Sequence, residues 1–208
     1  MANNTLRKLH RTNALLLLVF IVLHLINHMT IVLGIDNHLA VMEALRIIYR
    51  FLPVEILLFA LFFAQMIIGL MLIFRRGKPQ GGWAWLQVLS GGYIAFFLLQ
   101  HMTAAVATRM IYALDTNSYW AAGVVSKAPF VWYFVPYYVL GIVAIFAHLA
   151  CALRFRSWPA PATKVQVLLP WAGLVVGVIV VSGLMGSFSP VNLPVQYQAY
   201  LDNYWSSN

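Results

Sequence analysis

Six histidines stand out in a chain of 208 residues with only 9% charged positions. Two of them, His24 and His28, are spaced i, i+4, which places both imidazoles on one helix face. His101 and His148 lie in two further apolar stretches. An imidazole inside an apolar helix is costly. It faces a protein interior, and it serves as a metal ligand, a proton relay or a packing residue bonded to a carbonyl. The single cysteine, Cys151, leaves no internal disulfide, no Cys-rich zinc site and no C-x-x-C-H attachment for a covalent haem. Any metal chemistry therefore falls to histidine, and its simplest form here is a bis-histidine haem.

The elements that position these residues are membrane helices. With 62% apolar residues, against about 45–50% in a soluble domain, the chain is expected to be an all-α integral membrane bundle forming a single domain over 1–208. Charges are so sparse that the gaps between them outline the crossings. Twenty-four uncharged residues separate Arg11 from Asp36, and 19 separate Glu55 from Arg75, each about one bilayer thickness of helix. The same reading gives five crossings, over 13–34, 53–74, 86–108, 131–153 and 165–187. The first reads as a crossing and not as a cleaved leader. The net charge of +8 belongs to the loops of a membrane protein and not to a nucleic-acid face. Arg7, Lys8, Arg11, Arg75, Arg76, Lys78, Arg154, Arg156 and Lys164 collect on the N-terminal side, and the five acids collect opposite. The N-terminus is thus expected in the cytoplasm and the C-terminus outside. The 109–130 connection is expected to fold over the helix ends.

Depth sorts the histidines. His101 falls in the outer half of the third crossing, where His24 or His28 of the first reaches the same level at the helical rise of about 1.5 Å per residue. His148 sits near the inner end of the fourth crossing, and at that depth the second crossing offers Gln65 and Met66 but no histidine. One haem is therefore expected, between the first and third crossings. Gly91 and Gly92 would let its flat face approach the third helix, and Arg46, Arg50 and Arg109 are candidates to pair with its propionates. Gly173 and Gly177 form a small-xxx-small pair that reads as helix packing.

The run Arg7-Lys8-Leu9-His10-Arg11-Thr12-Asn13, followed by His24-Leu25-Ile26-Asn27-His28, resembles the first helix of the membrane-anchor cytochrome b subunit of succinate dehydrogenase and fumarate reductase, in its five-helix single-polypeptide form. Leu52-Pro53-Val54-Glu55, Leu86-Gln87-Val88-Leu89-Ser90-Gly91 with His101, and Phe146-Ala147-His148 agree in order, so that the resemblance covers about residues 7–155. It implies an electron-transfer subunit of the bacterial cytoplasmic membrane, linking a membrane quinone to flavoprotein and iron–sulfur partners. Carried over residue by residue, His24 and His101 would hold haem b, with His28 the alternative first-helix ligand. His148 would be half of a second site whose other ligand is replaced by Gln65. Glu55 would accept a proton from quinol, and the cluster containing Arg11 would offer donors to a quinone. The competing expectation is a haem-free membrane protein, a small transporter or an assembly partner, using its histidines for proton relay or packing.

Overall fold

A computed structural model describes residues 2–206, which are 82% helical with no strand. Five helices are long and apolar enough to cross a membrane: α1 (Ala2–Met29), α3 (Leu52–Arg75), α4 (Gly82–Ile111), α6 (Phe130–Arg156) and α7 (Lys164–Leu184). The chain is accordingly a multi-pass, all-α membrane bundle. Three shorter helices, α2 (Ile35–Tyr49), α5 (Ser118–Ser126) and α8 (Val195–Ser206), lie in the connections and tail at one end. That end is called the capped end below, and the opposite one, where α1 starts and α3 and α6 finish among cations, the basic end.

Helices α3, α4 and α6 run past the sequence-based boundaries at both ends, whereas α1 and α7 start earlier than expected and stop short of the expected ends, at Met29 and Leu184. The largest difference is in α1, which begins at Ala2 and not near residue 13, and is followed by a 3-10 turn over Thr30–Leu33. Charge gaps mark where hydrocarbon could lie, whereas the helix continues through Arg7, Lys8 and Arg11 because these side chains lose little rotamer freedom in a helix. The helices of the capped end were not anticipated individually. In α2 the buried residues Ile35, His38, Met42 and Arg46 recur every three or four positions, which makes a single inward stripe on a short helix. Asn117 caps α5 by accepting from the Tyr119 amide at 3.0 Å. Thr163 and Gln166 form a reciprocal capping box that starts α7.

Packing divides the bundle into two groups. On one side α1 lies against α3; on the other α6 is sandwiched between α4 and α7. Glycines set the second group's spacing. A Cβ on Gly177 would come within 3.2 Å of the Val139 backbone, and one on Gly173 within 2.8 Å of Phe146, as expected of small residues at a membrane helix interface. Leu17, Phe62 and Met102 join α1, α3 and α4 in one apolar cluster. A larger cluster under the cap unites Ile31, Ile35, Val125, Ile142, Leu184 and Leu201.

The cap is fastened by charge. Arg46 donates to Asp115 at 2.9 Å, to Glu43 at 2.8 Å and to the Thr116 carbonyl at 2.9 Å, and Arg50 donates to the other Asp115 oxygen at 2.9 Å. Lys127 of the α5 terminus pairs with Asp202 of α8. Burial pushes the Asp115 carboxyl upward, but the hydrogen bonds and charges of Arg46 and Arg50 outweigh it and hold the group below its ordinary value. A carboxylate depressed on folding contributes stability above its unfolded pKa, and loses it as pH falls through the lower folded value. Asp115→Asn should therefore lower the melting temperature of the purified protein by several degrees at pH 7. It should also flatten the acid-side loss of stability below about pH 4, which is where an unfolded aspartate protonates. Thermal melts from pH 7 to pH 3 for both proteins test this.

Candidate functional site

One stripe of α1 carries His10, Asn13, Leu17, Phe20, His24 and Asn27, at alternating three- and four-residue steps. Asn13, Leu17 and Asn27 are buried. A stripe of this spacing faces one way for the length of the helix, and here it faces α3, α4 and α6. Two histidines of other helices meet it.

Toward the capped end, His24 faces His101 of α4, with ring centroids 6.3 Å apart and planes at 73°. Phe20 stacks on His24 at 5.3 Å, and Phe97 stacks on His101 at 5.3 Å, so each ring is clamped from behind on its own helix. His101 makes no hydrogen bond among the described residues. His28 sits one turn from His24, its Nε2 lying 3.2 Å from the Nε2 of His24, and its ring lies 5.3 Å from that of His38 on α2. Depth alone had left His24 and His28 as alternatives. The structure sets His24 across from His101, and His28 between His24 and the cap. His38, 1% exposed with neither ring nitrogen bonded, is held by burial to a pKa of about 4.

Toward the basic end, the reading of His148 as unmatched is corrected. His10 of α1 lies opposite it, with ring centroids 6.4 Å apart at 80°. Gln65 does not take that place. Its oxygen accepts from Asn13 at 2.9 Å, and its nitrogen lies 3.2 Å from His10 Nε2. The error came from starting the first crossing at residue 13, which left His10 in a flanking segment. The signal that would have found it is its 14-residue separation from His24, close to four turns of 3.6 residues.

The remaining expected residues fall as follows. Gly91 packs beside His148, where a Cβ would lie 3.0 Å from the ring's Cε1, and so belongs to the basic-end pair and not to His101. Gly92 faces open space. Arg46 and Arg50 are already engaged by Asp115 and Thr116, and Arg109 by Glu55 at 2.7 Å, so none of the three is a free cation for a propionate. Glu55 likewise carries its charge in that ion pair. Arg11 is exposed on α1.

Beside His101 lies a cavity of about 290 Å³ between α4, α6 and the cap, walled by Phe134, Tyr137, Tyr138, Trp120 and Tyr200. Neither Glu55 nor Arg11 lines it. The α4–α6 wall is tied by Tyr137 donating to the Phe97 carbonyl at 2.9 Å and Tyr93 donating to the Tyr137 carbonyl at 3.2 Å.

The donor set limits what metal these histidines fit. No three His, Cys, Asp or Glu side chains among the described residues converge to hold a bare metal ion. A pair of imidazoles from different helices fits instead a metal that brings its own remaining ligands, which is the requirement of a porphyrin iron with two axial ligands. An imidazole nitrogen bonds a metal at about 2.0–2.1 Å, and two such bonds in line place the ring centres roughly 6 Å apart. The ring centroids of His24 and His101, 6.3 Å apart, have a separation of that order.

No family model, curated protein or solved structure matches the chain.

The Glu55–Arg109 pair, with both side chains about a quarter exposed, gives a direct test of how the capped end tolerates charge. Removing one partner leaves the other poorly compensated, at a cost between the ~0–1 kcal/mol of a surface pair and the ~3–5 kcal/mol of a buried one. Arg109→Leu alone should therefore destabilise the protein by about 1–3 kcal/mol. The double variant Arg109→Leu with Glu55→Leu should recover most of that loss in a chemical-denaturation cycle.

Proposed function

We propose that this chain is a b-type cytochrome subunit that carries electrons within a membrane oxidoreductase, with His24 and His101 as axial ligands of a haem. The observation that carries this reading is the pairing of two clamped imidazoles from α1 and α4 at 6.3 Å, with no group of three His, Cys, Asp or Glu side chains among the described residues arranged to hold a bare ion. A haem held by these two residues would supply reversible one-electron chemistry. The chain's own residues supply the geometry. Phe20 and Phe97 fix the ring planes, and the apolar cluster of Leu17, Phe62 and Met102 below the pair excludes water. Such dry surroundings, together with the polar contacts of the ligand rings, tune the potential of a bound metal. His28, within reach of His24 Nε2, is the residue placed to adjust the ligand's orientation and basicity.

The quinone that such a subunit would serve is proposed to bind in the cavity of about 290 Å³, whose wall includes His101 itself. Aromatic rings line it and the Gln100 side chain reaches its edge. That lining suits a flat apolar ring with carbonyl acceptors. The cation-rich basic end, with nine of the 13 Lys and Arg residues and none of the five acids, supports a cytoplasmic orientation for that end. It is also where soluble flavoprotein and iron–sulfur partners are proposed to dock. The residues that carry the resemblance to succinate dehydrogenase and fumarate reductase anchors point the same way, and a bacterial cytoplasmic membrane is the setting proposed.

A reduced-minus-oxidised spectrum of the purified protein is expected to show b-type haem. His24→Ala and His101→Ala should each lower the haem-to-protein ratio, while His28→Ala keeps the ratio and shifts the midpoint potential. A protein with no haem absorption after expression with haem supplied would leave the histidines as packing or relay groups and overturn this reading. Loss of haem in His28→Ala but not in His24→Ala would transfer the ligand role to His28.

A further inference from the structure

We infer that the turn joining α6 to α7 is a binding site for one anionic phospholipid, whose phosphate pairs with Arg154. The inference does not depend on the haem reading.

The charge of Arg154 is the observation that carries it. Arg154 stands in the last turn of α6 and is 6% exposed. Its Nη1 donates to the Ala160 carbonyl at 2.7 Å, and its guanidinium carbon lies 4.5 Å from the centre of the Trp158 ring. Nε is buried with no hydrogen-bond partner, and no carboxylate pairs with the group among the described residues. A buried charge without a counter-charge is costly. The C-terminal carbonyls of α6 supply the equivalent of about half a negative charge, and Arg156 draws on the same helix end. Much of the positive charge is left uncompensated. Asp36, Glu43, Glu55, Asp115 and Asp202 all belong to the capped end, so the balancing charge has to come from outside the chain.

The guanidinium is held in place before any ligand arrives. Ser157 Oγ donates to the Arg154 carbonyl at 3.1 Å, and the amide nitrogen of Gln166 donates to Ser157 Oγ at 3.2 Å. The Gln166 oxygen in turn accepts from the Thr163 backbone at 3.0 Å. These bonds fix the 154–166 turn. With Nη1 engaged by Ala160 and one face covered by Trp158, the Nε–Nη2 side remains, and that side of an arginine takes two oxygens of a phosphate. Trp158 is 64% exposed, a surface side chain free to yield as a phosphate enters.

The position of the turn favours a lipid over a soluble anion. It joins the ends of two apolar spans, Phe130–Arg156 and Lys164–Leu184. An exposed Trp158 at that level is an interfacial anchor. Toward the membrane centre, α7 exposes Val165, Leu168 and Trp171, three-residue steps that form one apolar strip for acyl chains. Charge then selects among lipids. Arg156 and Lys164 are exposed close to Arg154 in the chain with no acid between them. A headgroup with its own amine would add positive charge there, whereas an anionic headgroup removes it.

The test uses the full-length protein in mild detergent, titrated with palmitoyl-oleoyl phosphatidylglycerol or with phosphatidylcholine of the same acyl chains. Native mass spectrometry is expected to retain one phosphatidylglycerol per chain in preference to phosphatidylcholine, and only the first lipid should raise the melting temperature. Arg154→Gln should weaken that binding about tenfold or more, because it removes a two-point contact. Lys164→Gln should weaken it about fivefold, the effect of one cation at a membrane surface. Lys164 is exposed, so this variant keeps the test sound if Arg154→Gln fails to fold. Lys8→Gln removes the same charge from α1 and should leave the affinity nearly unchanged. Equal retention of the two lipids, or equal weakening by Lys8→Gln and Lys164→Gln, would overturn the site and leave only the general attraction of a basic surface. Equal stabilisation by inorganic phosphate would overturn the assignment to a lipid.

Discussion

An imidazole placed at membrane depth is costly, because no water is there to bond its ring nitrogens. Among apolar side chains from Ala14 to Phe74 and beyond, this chain sets histidines on three crossing helices. The bundle is organised so that they meet in pairs across the gap between α1 and the α4–α6 group. Several features of the packing keep those pairs in register. The α1 stripe must run unbroken from His10 to His24, and α3 must fit beside it with a glycine at His10. Meanwhile α4 and α6 must be fixed to one another tightly enough to present His101 and His148 from a common wall. The tyrosine hydrogen bonds from Tyr93 and Tyr137 and the close contact of α6 with the α7 glycines serve that last requirement.

The two ends of the bundle are built differently, and charge explains how. At the capped end the acids are used to neutralise arginines: Asp115 takes both Arg46 and Arg50, and Glu55 takes Arg109. This closes short amphipathic helices over the crossings and leaves an aromatic cavity against His101. At the basic end Arg7, Lys8, Arg11, Arg75 and Lys78 stay exposed with no acid among them. Cations near helix ends favour the cytoplasmic side, and an unpaired positive surface is also suited to an acidic partner. One end therefore carries an aromatic cavity and the other an exposed positive surface, with the paired histidines between them.

Much of this was legible in the sequence, because hydrocarbon imposes a strong pattern. The five crossings, the all-α class, the packing role of Gly173 and Gly177 and the facing of His101 by a first-helix histidine all followed from apolar length and depth. What escaped had physical reasons. His10 was missed because charge gaps locate the hydrocarbon but not the end of a helix that runs on into water. The α2 and α8 helices were missed because each buries only a narrow stripe, Ile35-His38-Met42-Arg46 in one case and Tyr197-Leu201 in the other. Both lie in segments whose polarity reads as loop. Arg46 and Arg50 were misjudged because Asp115 and Thr116, which engage them, are more than 60 residues away in sequence, and such pairing is invisible until the chain folds.

The proposed function requires that a haem iron bound to this protein be held by imidazole on both sides, from His24 of α1 and His101 of α4. Hyperfine spectroscopy of the oxidised protein, with histidine alone labelled with nitrogen-15, counts the imidazole nitrogens on each iron directly. The account predicts low-spin ferric signals with two labelled nitrogens per iron. A high-spin signal, or one coupled to a single labelled nitrogen or to none, would contradict it.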